Sequence, residues 1–153
     1  MSFVSRHALV MPSNHPLAAL ERIRLEDLVD HPIVTYHSAY TGRSRIDAAF
    51  ANRALKPNVV LDAIDSDVIQ TYVALGMGVG IVAEMAINKN TLSPELVSRP
   101  AGHLFGGNIA RIAFKRGAYL RLYVLRLAEL LSPNLSKDLI LKAMAGAGDN
   151  YEL

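Results

Sequence analysis

Ile33-Val34-Thr35-Tyr36, Val59-Val60-Leu61 and Gly78-Val79-Gly80-Ile81-Val82 are three short apolar runs, and two stretches of helical spacing lie between them. The first begins after His37-Ser38-Ala39-Tyr40-Thr41-Gly42-Arg43-Ser44 and carries Ile46, Ala49, Phe50 and Arg53; Pro57 separates it from the next run. The second opens on Asp65-Ser66-Asp67, a good helix cap, continues through Val68, Ile69, Tyr72 and Val73, and meets Gly76 where a helix would stop. Residues 33 to 83 therefore alternate strand, helix, strand, helix, strand with short connections. Parallel strands need such crossovers, so the expectation is an α/β fold with a parallel sheet covered by helices on its faces.

Working outward, Ala8-Leu9-Val10-Met11 reads as a buried strand closed by Pro12, and residues 24 to 29 as a short helical stretch ended by His31-Pro32. Residues 88 to 94 read as loop and 95 to 98 as a short extended piece, followed by the punctuation Gly106-Gly107-Asn108. A strand is expected over Ile109 to Phe114, and a helix over residues 118 to 131 with Leu120, Tyr123, Leu127 and Leu130 on its apolar face. Pro133 ends that region, Ser136 caps a last helix through about Met144, and residues 146 to 150 are expected to fray.

Composition narrows the function classes. The 153 residues are 51% hydrophobic with a net charge of +2, which excludes disorder for most of the chain. No cysteine is present, so disulfides, thiol nucleophiles and thiolate metal sites are excluded. Near-balanced charge is not the dense basic field of a nucleic-acid binder, and Arg111, Lys115, Arg116, Arg121 and Arg126 come without a helix-turn-helix pattern. The first residues lack the apolar core of a signal peptide, and no apolar run approaches the roughly 18 residues of a membrane span. The expected location is the cytoplasm, with no membrane partner. A chain that opens inside a strand reads as a fragment of something longer.

Chemistry concentrates at one loop. Tyr40, Thr41, Gly42, Arg43 and Ser44 follow a strand and open a helix, the place where open α/β sheets bind ligands. Unpaired amides at a helix start, with the hydroxyls of Thr41 and Ser44 beside them, favour a carboxylate, sulfate or phosphate. The alternative is that Thr41 or Ser44 is simply the helix N-cap. Arg43 is placed to pair with a bound anion, although a solvated arginine is the commoner outcome. The glycines at 76, 78 and 80 follow a helix and precede a strand, the reverse of a dinucleotide fingerprint, and read instead as a helix stop and a close-packed strand start. The five histidines show no metal-ligand spacing, and no nucleophile and base pair or Gly-x-Ser-x-Gly elbow appears. No catalytic residue, metal or cofactor is expected.

Three motifs in order, Tyr40 to Ser44, Asp65 to Val73 and Leu75 to Gly80, closely resemble the effector-binding region of LysR-type transcriptional regulators, most of all the CysB-type branch, which controls sulfur assimilation. His15-Pro16-Leu17, the strand Ile109 to Phe114 with Lys115-Arg116, and Leu120-Arg121 continue the likeness. The resemblance implies a periplasmic-binding-protein-like (type 2) fold with one complete lobe, residues 7–106, and part of a second, residues 1–6 and 107–153, with Gly106-Gly107-Asn108 as a hinge. It implies that the DNA-binding winged helix-turn-helix is absent and that DNA is held only through that missing part. It implies, further, a non-enzymatic sensor of a small anion of the acetylserine, sulfate or thiosulfate type, dimeric or tetrameric at full length. Thr41 matches a threonine that contacts a bound anion in this branch, whereas Val4 stands near where the branch has a tryptophan. An extracytoplasmic solute-binding protein of the same fold is the alternative, against which the lack of a leader argues.

Overall fold

The structure, a computed structural model, describes residues 2–88, 90, 92–115, 117–132 and 134–145, with the backbone alone at 2, 3 and 110. The expectations for Arg116, Pro133 and residues 146 to 150 lie outside the described residues. The chain divides into two compact units, Ser5–Asn108 and a smaller one formed by the residues before Ser5 and after Asn108.

In the larger unit, β1 (Ser2–Pro12), β2 (Pro32–Tyr36), β3 (Asn58–Ala63), β4 (Val79–Ala83) and β5 (Leu96–Pro100) form a sheet in the order β3-β2-β4-β1-β5, and β6 (Gly107–Arg111) also pairs with β1. The alternation read from residues 33 to 83 holds: β2 runs parallel to both β3 and β4, and the helices α2 (Thr41–Ala51) and α3 (Ser66–Ala74) make the crossovers. The sheet as a whole is mixed, because β1 pairs antiparallel with both β4 and β5.

The two-residue period of a strand divides the core between the faces. Leu9, Met11, Ile33 and Ile81 point to one side, where they pack with Leu28 of α1 (Leu25–Val29), Ile46 and Phe50 of α2, and Phe105 of α4 (Gly102–Phe105). Val10, Val34 and Val82 point to the other and meet Ile69 and Val73 of α3. Both faces of β2 and β4 are thus covered, and Thr35, the polar residue buried in β2, donates its hydroxyl to the Ile81 carbonyl at 3.0 Å.

The three glycines have the structural roles expected of them. Gly76 ends α3 with φ +82, and Gly80 lets α3 close on β4: a Cβ there would lie 2.9 Å from Val73 and 3.0 Å from Ile69. Asp65 caps α3, its carboxylate accepting from the Val68 N–H at 2.9 Å.

Several boundaries differ from the sequence reading. β1 begins at Ser2, well before Ala8, because β6 extends the ladder available to it beyond β4 and β5. Residues 102 to 105 carried no helix signal, yet they make one helical turn that buries Phe105. β6 stops at Arg111, short of the expected Phe114.

In the smaller unit, α5 (Leu122–Leu131) packs on α6 (Lys137–Met144), whose N-cap is Ser136 as expected. The buried residues of α5 are Leu125 and Ala128, packed with Ile140; Tyr123, Leu127 and Leu130 are exposed. Leucines all around this helix admit more than one apolar stripe, and α6 selects a different one from the spacing read alone.

Candidate functional site

The loop leaving the carboxyl end of β2 turns into α2 at Tyr40, which is the N-cap residue, extended at φ −92 and ψ 140, and offers no side-chain cap. The idea that Thr41 or Ser44 caps the helix is therefore corrected. Thr41 is the first helical residue, and the Ser44 hydroxyl donates to the Thr41 carbonyl at 2.7 Å. Among the described residues, the N–H groups of Thr41 and Gly42 and the Thr41 hydroxyl have no hydrogen-bond partner. These are the orphan donors of a helix start. No acidic residue stands in the first turn of α2 to complement its positive end, unlike α1 and α3.

The two arginines of this turn take different roles. Arg43, which the sequence offered as an anion partner, is instead bound inside the unit. Its guanidinium meets Asp47 at 2.8 Å and Asp62 at 2.6 Å and donates to the Tyr36 carbonyl at 2.8 Å, leaving 13% of the side chain exposed. Burial works against its charge, yet the hydrogen bonds to Asp47 and Asp62 outweigh that and raise its pKa. Even its backbone N–H is taken, by the Tyr40 carbonyl at 3.0 Å. Arg43 fixes the loop to β2 and β3. Replacing it with Met should lower stability by about 1–3 kcal/mol in urea unfolding, since a half-buried carbonyl and two carboxylates lose their donor.

Arg45 is the free cation. It is exposed, forms no ion pair among the described residues, and reaches to within 3.9 Å of the Cβ position of Gly106. An α-helix turns about 100° per residue, so side chains two apart project to opposite sides; the fold sends Arg43 inward and leaves Arg45 exposed.

Gly42 stands close to three side chains. A Cβ on it would meet His7 Nε2 at 3.6 Å, Asn108 Nδ2 at 3.9 Å and the Tyr36 ring at 3.9 Å. Tyr36 is positioned by its hydroxyl, which bonds Ser66 Oγ at 2.6 Å and accepts from the Ala83 N–H at 2.8 Å. The sequence reading did not find His7, Arg45 or Asn108. His7 follows Ser5 and Arg6 in β1 and borders the apolar run that starts at Ala8, so it does not stand out in the sequence. Besides the pairs that Arg43 makes with Asp47 and Asp62, the turn offers N–H, O–H and cationic donors, a set suited to an anion. No group of three or more His, Cys, Asp or Glu among the described residues could hold a metal ion, and no described helix is long and apolar enough to cross a membrane.

Comparison with known proteins gives a consistent result. The family described as LysR substrate binding domain matches residues 3–136. The chain is 50% identical over 151 residues to the HTH-type transcriptional regulator CysB of Burkholderia cenocepacia, a match that covers 99% of this chain and 48% of that protein. It is 44% identical over 132 residues to the HTH-type transcriptional regulator cbl of Escherichia coli, covering 86% and 42% respectively. The chain thus spans about half the length of the curated relatives it matches. Among solved structures, the cofactor-binding domain of the Cbl transcriptional regulator superposes with a TM-score of 0.82 at 42% identity, over 93% of this chain and 62% of that one.

Proposed function

The chain belongs to the LysR substrate-binding domain family, a family of non-enzymatic regulators with the periplasmic-binding-protein-like type 2 fold, and we propose that it senses a small anion for a sulfur-responsive transcription regulator. The ligand is of the acetylserine, sulfate or thiosulfate type, and its negative group sits at the start of α2. One observation carries this reading: the first turn has no side-chain cap, and among the described residues the Thr41 and Gly42 amides, the Thr41 hydroxyl and the guanidinium of Arg45, one helical turn on, have no partner. The CysB and Cbl relatives support the sulfur connection. Of the residues expected at the site, Thr41 and Gly42 donate to the ligand, Tyr40 and Ser44 border it, and Arg43 holds the loop. Full-length protomers pair in the cytoplasm as a dimer or tetramer, and DNA contact belongs to a helix-turn-helix outside these residues.

Calorimetric titration with sulfate and thiosulfate tests the site. Thr41→Val should weaken binding about tenfold or more, the usual worth of a hydrogen bond to a charged group, and Arg45→Met should weaken it too. Equal affinity in wild type and Thr41→Val would overturn the site.

Gly42→Ala separates backbone need from ligand need. The Cβ would make only ordinary contacts, so helix propensity predicts a fold unchanged or stabilised by up to about 1 kcal/mol. Sulfate affinity should nevertheless fall, because the methyl narrows the approach to the amides.

A further inference from the structure

His7 is a buried side chain that the anion site alone does not explain. It lies on β1 opposite Ala83, is 2% exposed, and sets its ring edge-on to Phe105 with centroids 5.6 Å apart. Its Nε2 faces the first turn of α2 at Gly42, while its Nδ1 is buried without a hydrogen-bond partner among the described residues. An unpaired buried nitrogen opposes folding, and an apolar residue on this strand would avoid that.

The groups around the ring set its charge. From α2 comes Arg45, the charged group that acts on it; α4 supplies Phe105, β4 supplies Ala83, β6 supplies Asn108, and β2 supplies Tyr36, whose hydroxyl is already bonded. Arg6, its neighbour on β1, lies against Gly102, and His103 of α4 is bonded to the Ile23 carbonyl.

We propose that His7 takes up a proton when an anion occupies the start of α2, so that anion binding is coupled to protonation and is tighter in mild acid. The inference rests on the anion site proposed above. Burial first and the Arg45 charge after it lower the pKa of His7 below the ordinary 6.5, while the Gly42 and Gly106 carbonyls pull the other way. An anion beside Thr41, Gly42 and Arg45 offsets the arginine's field and favours imidazolium, whose two N–H groups are both donors. Linkage is reciprocal: if the anion raises the affinity for a proton, the proton raises the affinity for the anion by the same factor. Between the pKa values of His7 without and with the anion bound, affinity increases as pH falls, by at most about tenfold per pH unit.

The test is calorimetric titration of the chain with sodium sulfate between about pH 6 and about pH 8, in buffer pairs of different ionisation enthalpy. Sulfate keeps its charge throughout, so any pH dependence belongs to the protein. Tighter binding at the acid end, with net proton uptake, is expected in wild type and in His37→Gln, which alters the exposed histidine of the same loop; both signals should vanish in His7→Gln. A wild-type NMR titration that requires no variant should show the His7 imidazole resonance moving to a higher midpoint when sulfate is added. Thr41-dependent binding with a flat pH profile, or an unmoved His7 midpoint, overturns the coupling and leaves the anion site standing. Failure of sulfate and thiosulfate to bind at any pH overturns both.

Discussion

Gly78→Ala should destabilise the larger unit by about 3–5 kcal/mol, a large share of the roughly 5–15 kcal/mol that holds an ordinary domain folded. Gly78 has φ +146, a conformation that side chains rarely adopt, and a Cβ built there would fall 2.1 Å from the Pro32 carbonyl oxygen and 2.7 Å from its carbon. Both atoms are backbone, so no rotamer change relieves the clash. The approach is a consequence of register: Ile33 stands beside Val79, which brings the first carbonyl of β2 against the residue that precedes β4. Relief would require β4 to draw away from β2, breaking the parallel ladder at the centre of the sheet. Gly76→Ala is the control. Gly76 also has positive φ, at +82, but nothing lies within 4 Å of its Cβ position. It should lose only about 1–2 kcal/mol for the left-handed conformation. Urea unfolding of the two variants measures the difference, and equal losses would mean that the close approach to Pro32 is not what requires glycine at 78.

The same contrast explains what was legible in the sequence. Residues 33 to 83 could be read because each β2, β3 and β4 run is short and bounded, and because Asp65 and Gly76 punctuate α3 at its two ends. The mixed character of the sheet could not be read, since the partners of β1 are β4 and β5, far along the chain. Nor could α4, a single turn whose one buried residue, Phe105, is recruited by the distant Phe50 and His7. The strand end and helix start that carry Thr41 and Gly42 were legible because a strand, a loop and a helix start appear in order. His7, Arg45 and Asn108 were not, because β1, α2 and β6 supply one each and only the folded unit gathers them. Arg43 and Arg45 differ by helical phase against a sheet edge, which spacing alone does not orient.

Phe50→Ala should cost about 3–5 kcal/mol and, unlike a core truncation on the other face of the sheet, should weaken sulfate binding in protein that is still folded. Ile46 and Phe50 are the two buried residues of α2, so two side chains seat this helix on the sheet. Phe50 is 1% exposed and its ring lies 6.1 Å from that of Phe105, which in turn stands edge-on to His7. Removing it leaves a cavity between the helix that presents the Thr41 and Gly42 amides and the aromatic support of His7. Partial collapse into that cavity shifts α2, and hydrogen bonds to an anion are sensitive to such shifts. Val73→Ala removes a fully buried side chain of α3 on the opposite face, among Val10, Val34 and Val82, and touches none of these groups. Thermal melts should show both variants destabilised, Phe50→Ala more. Sulfate titration well below either melting temperature should then find Val73→Ala close to wild type and Phe50→Ala weaker. Equal sulfate affinity in the two variants would show that the seating of α2 by Phe50 does not control the anion site.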